Sequence, residues 1–280
     1  MDNNVRSIYG AYLQTCALLG FNVDIKPNST LNQKFDLFPN EIFNSGETPT
    51  VKYLTIGNGG HTASMGVDGL PLINPVPHSP RHAALYNHLP FIIREVGEDL
   101  TPGERLLYRL RVPRTIDGVN YMCYYAKVLD LSLVEPKIEL RNNTDGIITA
   151  TDFTPSLADL NPVKPVIPVN GNITSTGNYL ASTAKIEFVM NETEITELLN
   201  ACNIIYGSDN YAFISEIGLC SGFKAYLRTV SLLIPSLLAI DDLLMPSLSH
   251  LCIILISPFF NTKPPISRMK LKFSKTNFLA

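Results

Sequence analysis

Lys52-Tyr-Leu-Thr-Ile-Gly-Asn-Gly-Gly-His61 sets the fold class of this 280-residue chain. Residues 51–56 are apolar and β-branched enough to form a strand, and Gly57-Asn-Gly-Gly60 predicts a turn that demands positive φ. Four prolines between residues 66 and 80 then exclude a regular element interior. Thr101-Pro-Gly-Glu104 has the form of a capping box with proline at the first helical position. It predicts a helix with Leu106, Leu107 and Leu110 on one face, Arg105, Arg109 and Arg111 mostly solvated, and Pro113 as its end. Asp117-Gly118 predicts the turn into a strand over residues 121–131.

Working outward, Ser7–Gly20 carries apolar residues at Ile8, Tyr12, Leu13, Cys16 and Leu19, the spacing of a short helix closed by Gly20. Phe21–Lys26 alternates like a half-buried strand, and Pro27–Pro49 reads as a long loop that docks its Phe residues. Residues 138–140 and 147–150 flank a hairpin turn at 143–146. Pro155–Pro168 is the preferred linker. Thr183–Met190 alternates as a strand, Asn191 with Glu194 opens a helix over Glu192–Tyr206, and Ala212–Cys220 is strand-like again. The expected class is α+β and strand-rich: antiparallel sheets with two or three short helices, irregular Pro-rich loops and an atypical apolar C-terminal tail. The expected domains are 1–160, 161–222 and the tail 223–280.

Composition bounds the function. Apolar residues make up 45% and charged residues 17%, below the roughly 25% usual for soluble domains. A net charge of -3 with no basic stripe argues against broad nucleic-acid binding. Five scattered cysteines without a C-x-x-C pair point to buried free thiols in a reducing cytoplasm. No basic segment precedes an apolar run near Met1, so a secretory signal is not expected.

The tail differs from the rest. Residues 223–280 hold seven of the 22 Lys+Arg and two of the 25 Asp+Glu, so a net of -8 before Phe223 gives way to +5. No glycine follows Gly222. Two apolar runs, Thr229–Ile240 and Leu243–Phe260, flank Asp241-Asp242. Three explanations stand: a membrane hairpin, against which each run is broken by proline and the first is too short to span; a buried helical tail; or a shifted reading frame. The single codon of Met269, followed by Lys270, forces a glutamate one base earlier, so the Lys-rich end could hide an acidic strand.

Few constellations suggest chemistry. His61, His78, His82 and His88 lie within 28 positions, but Pro80 prevents a helix from presenting His78 and His82 as a chelating pair. Gly57–Gly60 lacks the following helix of a phosphate-binding loop. Ser64 and Ser221 sit in no nucleophile elbow, and Glu216 and Asp241-Asp242 lack a paired-carboxylate context. Arg105, Arg109, Arg111 and Arg114 form either a solvated face or an interface rim. No enzyme, metal or cofactor is expected. The candidate interface residues are His61, His82, Tyr86, His88, Arg105, Arg109 and Arg111.

Ile56-Gly-Asn-Gly-Gly-His61, Ala84-Leu-Tyr-Asn-His-Leu-Pro-Phe91, Leu100-Thr-Pro-Gly-Glu-Arg105, Tyr124-Tyr-Ala-Lys-Val-Leu-Asp-Leu131 and Glu197–Gly222 resemble a family of virion structural proteins from tailed bacteriophages. The resemblance covers roughly residues 5–222 and ends where the tail begins. It implies a non-enzymatic tail, baseplate or neck subunit assembled in the host cytoplasm. Its expected partners are other virion structural proteins, in a homo-oligomer or a heteromeric wedge, with no nucleic acid and no membrane. The alternatives are a receptor- or carbohydrate-binding module on the virion surface, or a membrane-associated protein that uses the apolar tail. Low charge with many Tyr, Phe and Asn also suits interface cores, which are depleted in charge.

Overall fold

A computed structural model describes residues 7–23, 31–36, 49–65, 71–144, 147–161, 178–224, 248–255 and 268–278. The chain is a strand-rich α+β protein built on antiparallel sheets. Its described strands are β1 (Thr50–Gly57), β2 (His61–Met65), β3 (Pro71–Pro75), β4 (His88–Leu89), β5 (Ile92–Glu95), β6 (Tyr108–Ile116) and β7 (Val119–Val128). There follow β8 (Lys137–Thr144), β9 (Ile147–Asp152), β10 (Asn178–Val189), β11 (Glu216–Lys224), β12 (Leu248–Leu255) and β13 (Arg268–Phe278). The helices are α1 (Ile8–Leu19), α2 (Leu31–Lys34), α3 (Leu157–Leu160) and α4 (Glu192–Tyr206). None of them is long and apolar enough to cross a membrane.

Two compact units emerge, residues 1–129 with 190–265 and residues 130–189 with 266–280. The boundary expected at 160/161 falls inside the second unit, because β10 pairs antiparallel with β8 on the other side of the Pro-rich stretch. The tail is likewise shared: β12 pairs with β11 in the first unit and β13 with β10 in the second. Its described parts are strands rather than helices. The apolar run Thr229–Ile240, the Asp241-Asp242 pair and residues 162–168 of the linker lie outside the described residues.

In the first unit a seven-stranded sheet runs β12-β11-β1-β7-β5, with β4 on β1 and β6 on β7. Its core gathers Tyr53, Leu85, Ile93, Val112, Cys123, Tyr125 and Cys220 with Leu31 of α2 and Ala201 of α4. Phe35 docks against Tyr125 and His88, ring centroids 4.6 and 5.2 Å away. The other Phe residues of the expected loop are outside the described residues, as are Asp24–Lys26 of the expected strand, whose first residues form no regular element. Ser7 caps α1 by accepting from the Gly10 N–H at 3.1 Å, and Gly20 closes it in the left-handed region. The helix buries Leu13 and Cys16 but leaves Ile8, Tyr12 and Leu19 exposed.

Helix α4 forms where its capping signals place it, with Asn191 and Glu194 bonded reciprocally and Gly207 left-handed at the end. Leu198, Ala201 and Cys202 are buried, while bidentate bonds from Arg94 to Glu197 at 2.6 Å and a bond from Lys127 to Glu194 tie its outer positions to the sheet. The helix expected after Thr101 does not form. The capping box is made, since Glu104 accepts from the Thr101 N–H at 2.9 Å, but it closes only one 3-10 turn, Glu104–Leu106. Residues from Tyr108 onward pair with β7 instead, proline included, and the Asp117-Gly118 turn, with φ of 49° and 83°, suits a tight hairpin. Hairpin pairing overrides the helical pattern there.

The second unit is a four-stranded sheet, β13-β10-β8-β9. β10 buries Ala181, Thr183, Ile186 and Phe188. The β8–β9 hairpin matches the sequence expectation, and β9 is exposed along its whole length.

Candidate functional site

The glycine loop after β1 surrounds the start of β11. Glu216, the first residue of that strand, is completely buried, and its carboxylate accepts four hydrogen bonds. Gly59 and Asn87 N–H donate to Oε1 at 2.8 and 3.1 Å, while Tyr86 N–H and His78 Nε2 donate to Oε2, each at 2.8 Å. Two loops, 57–60 and 84–88, therefore converge on one side chain. Burial alone would raise this carboxyl's pKa, but the His78 bond and the backbone amides outweigh it and hold the pKa below the ordinary carboxylate range.

The glycines are required by proximity. None of Gly57, Gly59 or Gly60 has positive φ, which corrects the expected left-handed turn. A Cβ on Gly57 would lie 2.3 Å from Asn87 O and one on Gly59 2.8 Å from Asn87 N. On Gly60 it would lie 2.6 Å from both Glu216 Cγ and Ser215 O. Such distances leave no room for any side chain, so the loop can approach the carboxylate only as bare backbone. Ser215 reinforces the contact: its Oγ accepts from Gly60 N–H at 3.0 Å and its own N–H donates to Gly57 O at 2.9 Å.

Behind the carboxylate stands a pair of imidazoles. His78 and His82 meet Nδ1 to Nδ1 at 3.1 Å, and Ser79 N–H also points to His82 Nδ1 at 3.3 Å. The latter contact makes His82 Nδ1 an acceptor, and the His78 ring stands between that nitrogen and the Glu216 carboxylate, with Nε2 2.8 Å from Oε2. Burial and then the positive charges of His78 and Lys34 lower the His82 pKa, in keeping with a neutral acceptor. Tyr86 covers the pair, its ring 4.4 Å from His78 and its hydroxyl donating to Pro77 O at 2.9 Å. The pair thus meets through a loop, without the helix that Pro80 forbids.

The other predicted site residues scatter. His61 packs edge-on against Phe213 at 4.9 Å. His88 is buried and accepts from Leu85 N–H through Nε2 at 3.1 Å; burial and the nearby Lys34, His78 and Arg114 push its pKa down to about 3. Arg105, Arg109 and Arg111 do not form a solvated face, which corrects the sequence expectation; of the four arginines only Arg114 is exposed. Arg109 is only 7% exposed and donates to the Tyr108 and Arg105 carbonyls, and Arg111 is paired with Asp99, which also accepts from the Tyr124 hydroxyl at 2.7 Å. Arg105 is half-buried. Of the seven candidates, only Tyr86 bonds the carboxylate, and His82 joins it through His78. Sequence reasoning set Glu216 aside for want of a second carboxylate; the signal was three glycines in four residues, read as a turn when it marked a close approach.

On the outer side, Asn87 Nδ2 donates to Asn58 Oδ1 at 2.6 Å and to the Tyr206 hydroxyl at 3.0 Å, and Tyr206 stacks on Tyr211 at 4.9 Å. Cys16, Cys123, Cys202 and Cys220 are free and buried. Burial raises the Cys123 thiol to about 11 and the Cys202 thiol to about 12, values of inert thiols. Among the described residues, no group of three His, Cys, Asp or Glu is arranged to hold a metal.

Residues 1–231 match the model of DUF7208, a family of unknown function. The chain belongs to that family. No curated protein and no solved structure matches it. The DUF7208 match takes in every residue of the Glu216 cradle and ends close to where the apolar tail begins.

Proposed function

We propose that this chain is a non-enzymatic structural subunit of a tailed-phage virion, built into the tail, baseplate or neck by contact with other virion proteins. The observation that carries the reading is where its polar and apolar groups are spent. The groups best suited to chemistry, Glu216 and His78, are buried and consumed by bonds to one another and to backbone amides. Apolar side chains meanwhile face outward in sets: Ile8, Tyr12 and Leu19 share one face of α1, and Ile147 and Ile148 project from the hairpin end. A molecule so arranged holds its loops rigid inside and presents surface for burial by neighbours. The resemblance of residues 5–222 to phage virion proteins supplies the particle. Mass spectrometry of gradient-purified virions of the encoding phage tests the reading, and the expected result is this chain in fixed ratio to the other structural proteins. Its absence from particles, with abundant protein in the infected cell, overturns the proposal.

A second reading has an observation of its own. Tyr86 and Tyr211 are 42% and 51% exposed beside Asn87, and aromatic faces next to amides suit sugar rings. Glycan-array binding that Tyr211→Ala abolishes would move the function to a carbohydrate-binding module on the virion surface.

A further inference from the structure

Strand β9 ends its sheet, with β8 on one side and no described strand on the other. Its sequence, Ile147-Ile-Thr-Ala-Thr-Asp152, has neither lysine nor proline, and its register with β8 is continuous, without a bulge. The usual devices that blunt an edge are therefore missing. All six residues are exposed, including Ile147 at 71% and Ile148 at 56%.

The backbone fixes what the edge can accept. Phe153 N–H donates to Ile138 O at 2.8 Å, in step with the β8–β9 register. Bonded pairs alternate in an antiparallel ladder. Ile147, Thr149 and Thr151 therefore turn their amides to β8, and Ile148, Ala150 and Asp152 turn theirs outward. The edge also lacks net charge: Asp152 is paired with Lys137 at 3.3 Å, and on β8 Glu139 is paired with Arg141 at 2.9 Å. An uncharged edge selects an uncharged strand rich in threonine and small apolar residues. β9 is itself such a strand.

We propose that β9 pairs antiparallel with β9 of a second copy of this chain, across a two-fold axis at Thr149. This rests on the assembly reading above and names one partner for it. In that register Ile148 of each copy faces Ala150 of the other, and both residues present outward amides that bond reciprocally. Thr149 faces its counterpart and Ile147 faces Thr151, pairings that stabilise adjacent strands. Asp152 lies beyond these central pairs, so no like charges meet. A one-residue slip would oppose outward amides to inward ones and lose the bonds.

Light scattering of the full chain on size exclusion tests the contact. The expected result is a species of twice the chain mass that Ala150→Pro converts to monomer, with unchanged circular dichroism, because that proline removes only an outward N–H. Thr149→Cys supplies an independent readout. Its counterpart lies at a non-bonded antiparallel position about 4.5 Å away between Cα atoms, within disulfide range, so oxidation yields a covalent dimer. A wild-type chain that stays monomeric at high concentration overturns the proposal. So does an oligomer that survives Ala150→Pro, or one in which Thr149→Cys fails to cross-link. Virion content decides the broader assembly reading separately, since a chain found in particles through another surface keeps that reading and loses this one.

Discussion

In the Glu216 cradle, backbone N–H groups of Gly59, Tyr86 and Asn87 meet one carboxylate and are satisfied within the chain. Along β9, alternate residues turn the same kind of group outward, and every side chain is exposed. The first region obtains order from its own sequence; the second leaves it to be supplied. The difference teaches where mutation should be felt. Changes at the cradle should alter the stability of the isolated chain, and changes to the outward-turned groups of the edge should alter association alone.

The largest effect is expected from Glu216→Gln. The substitution removes the charge facing His78 and turns an amide donor toward groups that are themselves donors. Breaking a buried ion pair by removing one partner typically costs about 3–5 kcal/mol. Urea denaturation should show the midpoint falling with an unchanged slope. A loss under about 1 kcal/mol would mean that the carboxylate is effectively solvated, and the contrast with the edge would vanish.

Next come the glycines. Gly57→Ala places a methyl 2.3 Å from a backbone oxygen that cannot swing aside, which should cost about 1–3 kcal/mol or more. Gly103 has right-handed helical φ and nothing within 4 Å of an added Cβ, so Gly103→Ala should be neutral or stabilise by about 0.4–1 kcal/mol. Thermal melts of the two variants separate a loop held by proximity from one that is merely flexible.

Why the sequence disclosed some of this and not the rest follows from the range of the forces. Helix α4 was legible because Asn191 and Glu194, the signals that open it, act within three residues of one another. The β8–β9 hairpin was legible for the same reason. The capping box at Thr101 was also read correctly, yet the strand that follows is dictated by β7, and local grammar does not encode that partner. Glu216 lies more than 120 residues from the amides that bind it, and nothing in its own neighbourhood marks it as buried. Gly57, Gly59 and Gly60 were visible but admitted two physical causes, positive φ and close approach, and only the position of Asn87 decides between them.

Acid should distinguish the regions as well. His88 is neutral when folded, its pKa pushed from 6.5 down to about 3, so the unfolded chain takes up a proton that the folded chain refuses. That contribution is complete above pH 6.5 and is lost progressively as pH falls toward 3. Glu216, whose pKa is depressed when folded, adds to the loss below its ordinary value of 4.5. Stability should therefore decline from pH 6.5 downward and more steeply below 4.5. His88→Gln keeps an acceptor for Leu85 N–H but cannot titrate, so its decline between pH 6.5 and 4.5 should be shallower than the parent's, leaving the part that belongs to His82, whose pKa is also lowered in the fold. A His88→Gln profile that declines from pH 6.5 as steeply as the parent's would assign that limb to other groups.

The smallest effect is the sharpest test of the contrast. Two neighbouring prolines on β9 should behave differently in the isolated chain, measured at concentrations too low for association. Thr149 turns its N–H to β8, so Thr149→Pro removes a ladder bond and leaves a carbonyl on β8 unpaired, at a cost of about 1–3 kcal/mol. Ala150 turns its N–H to solvent, so Ala150→Pro should stay within about 0.5 kcal/mol of the parent. Equal losses at the two positions would show that the alternation along β9 is misassigned, and the free edge would lose the polarity that selects its partner. Unequal losses in this direction would leave Ala150→Pro as a folded chain that differs from the parent only in what its edge can bind.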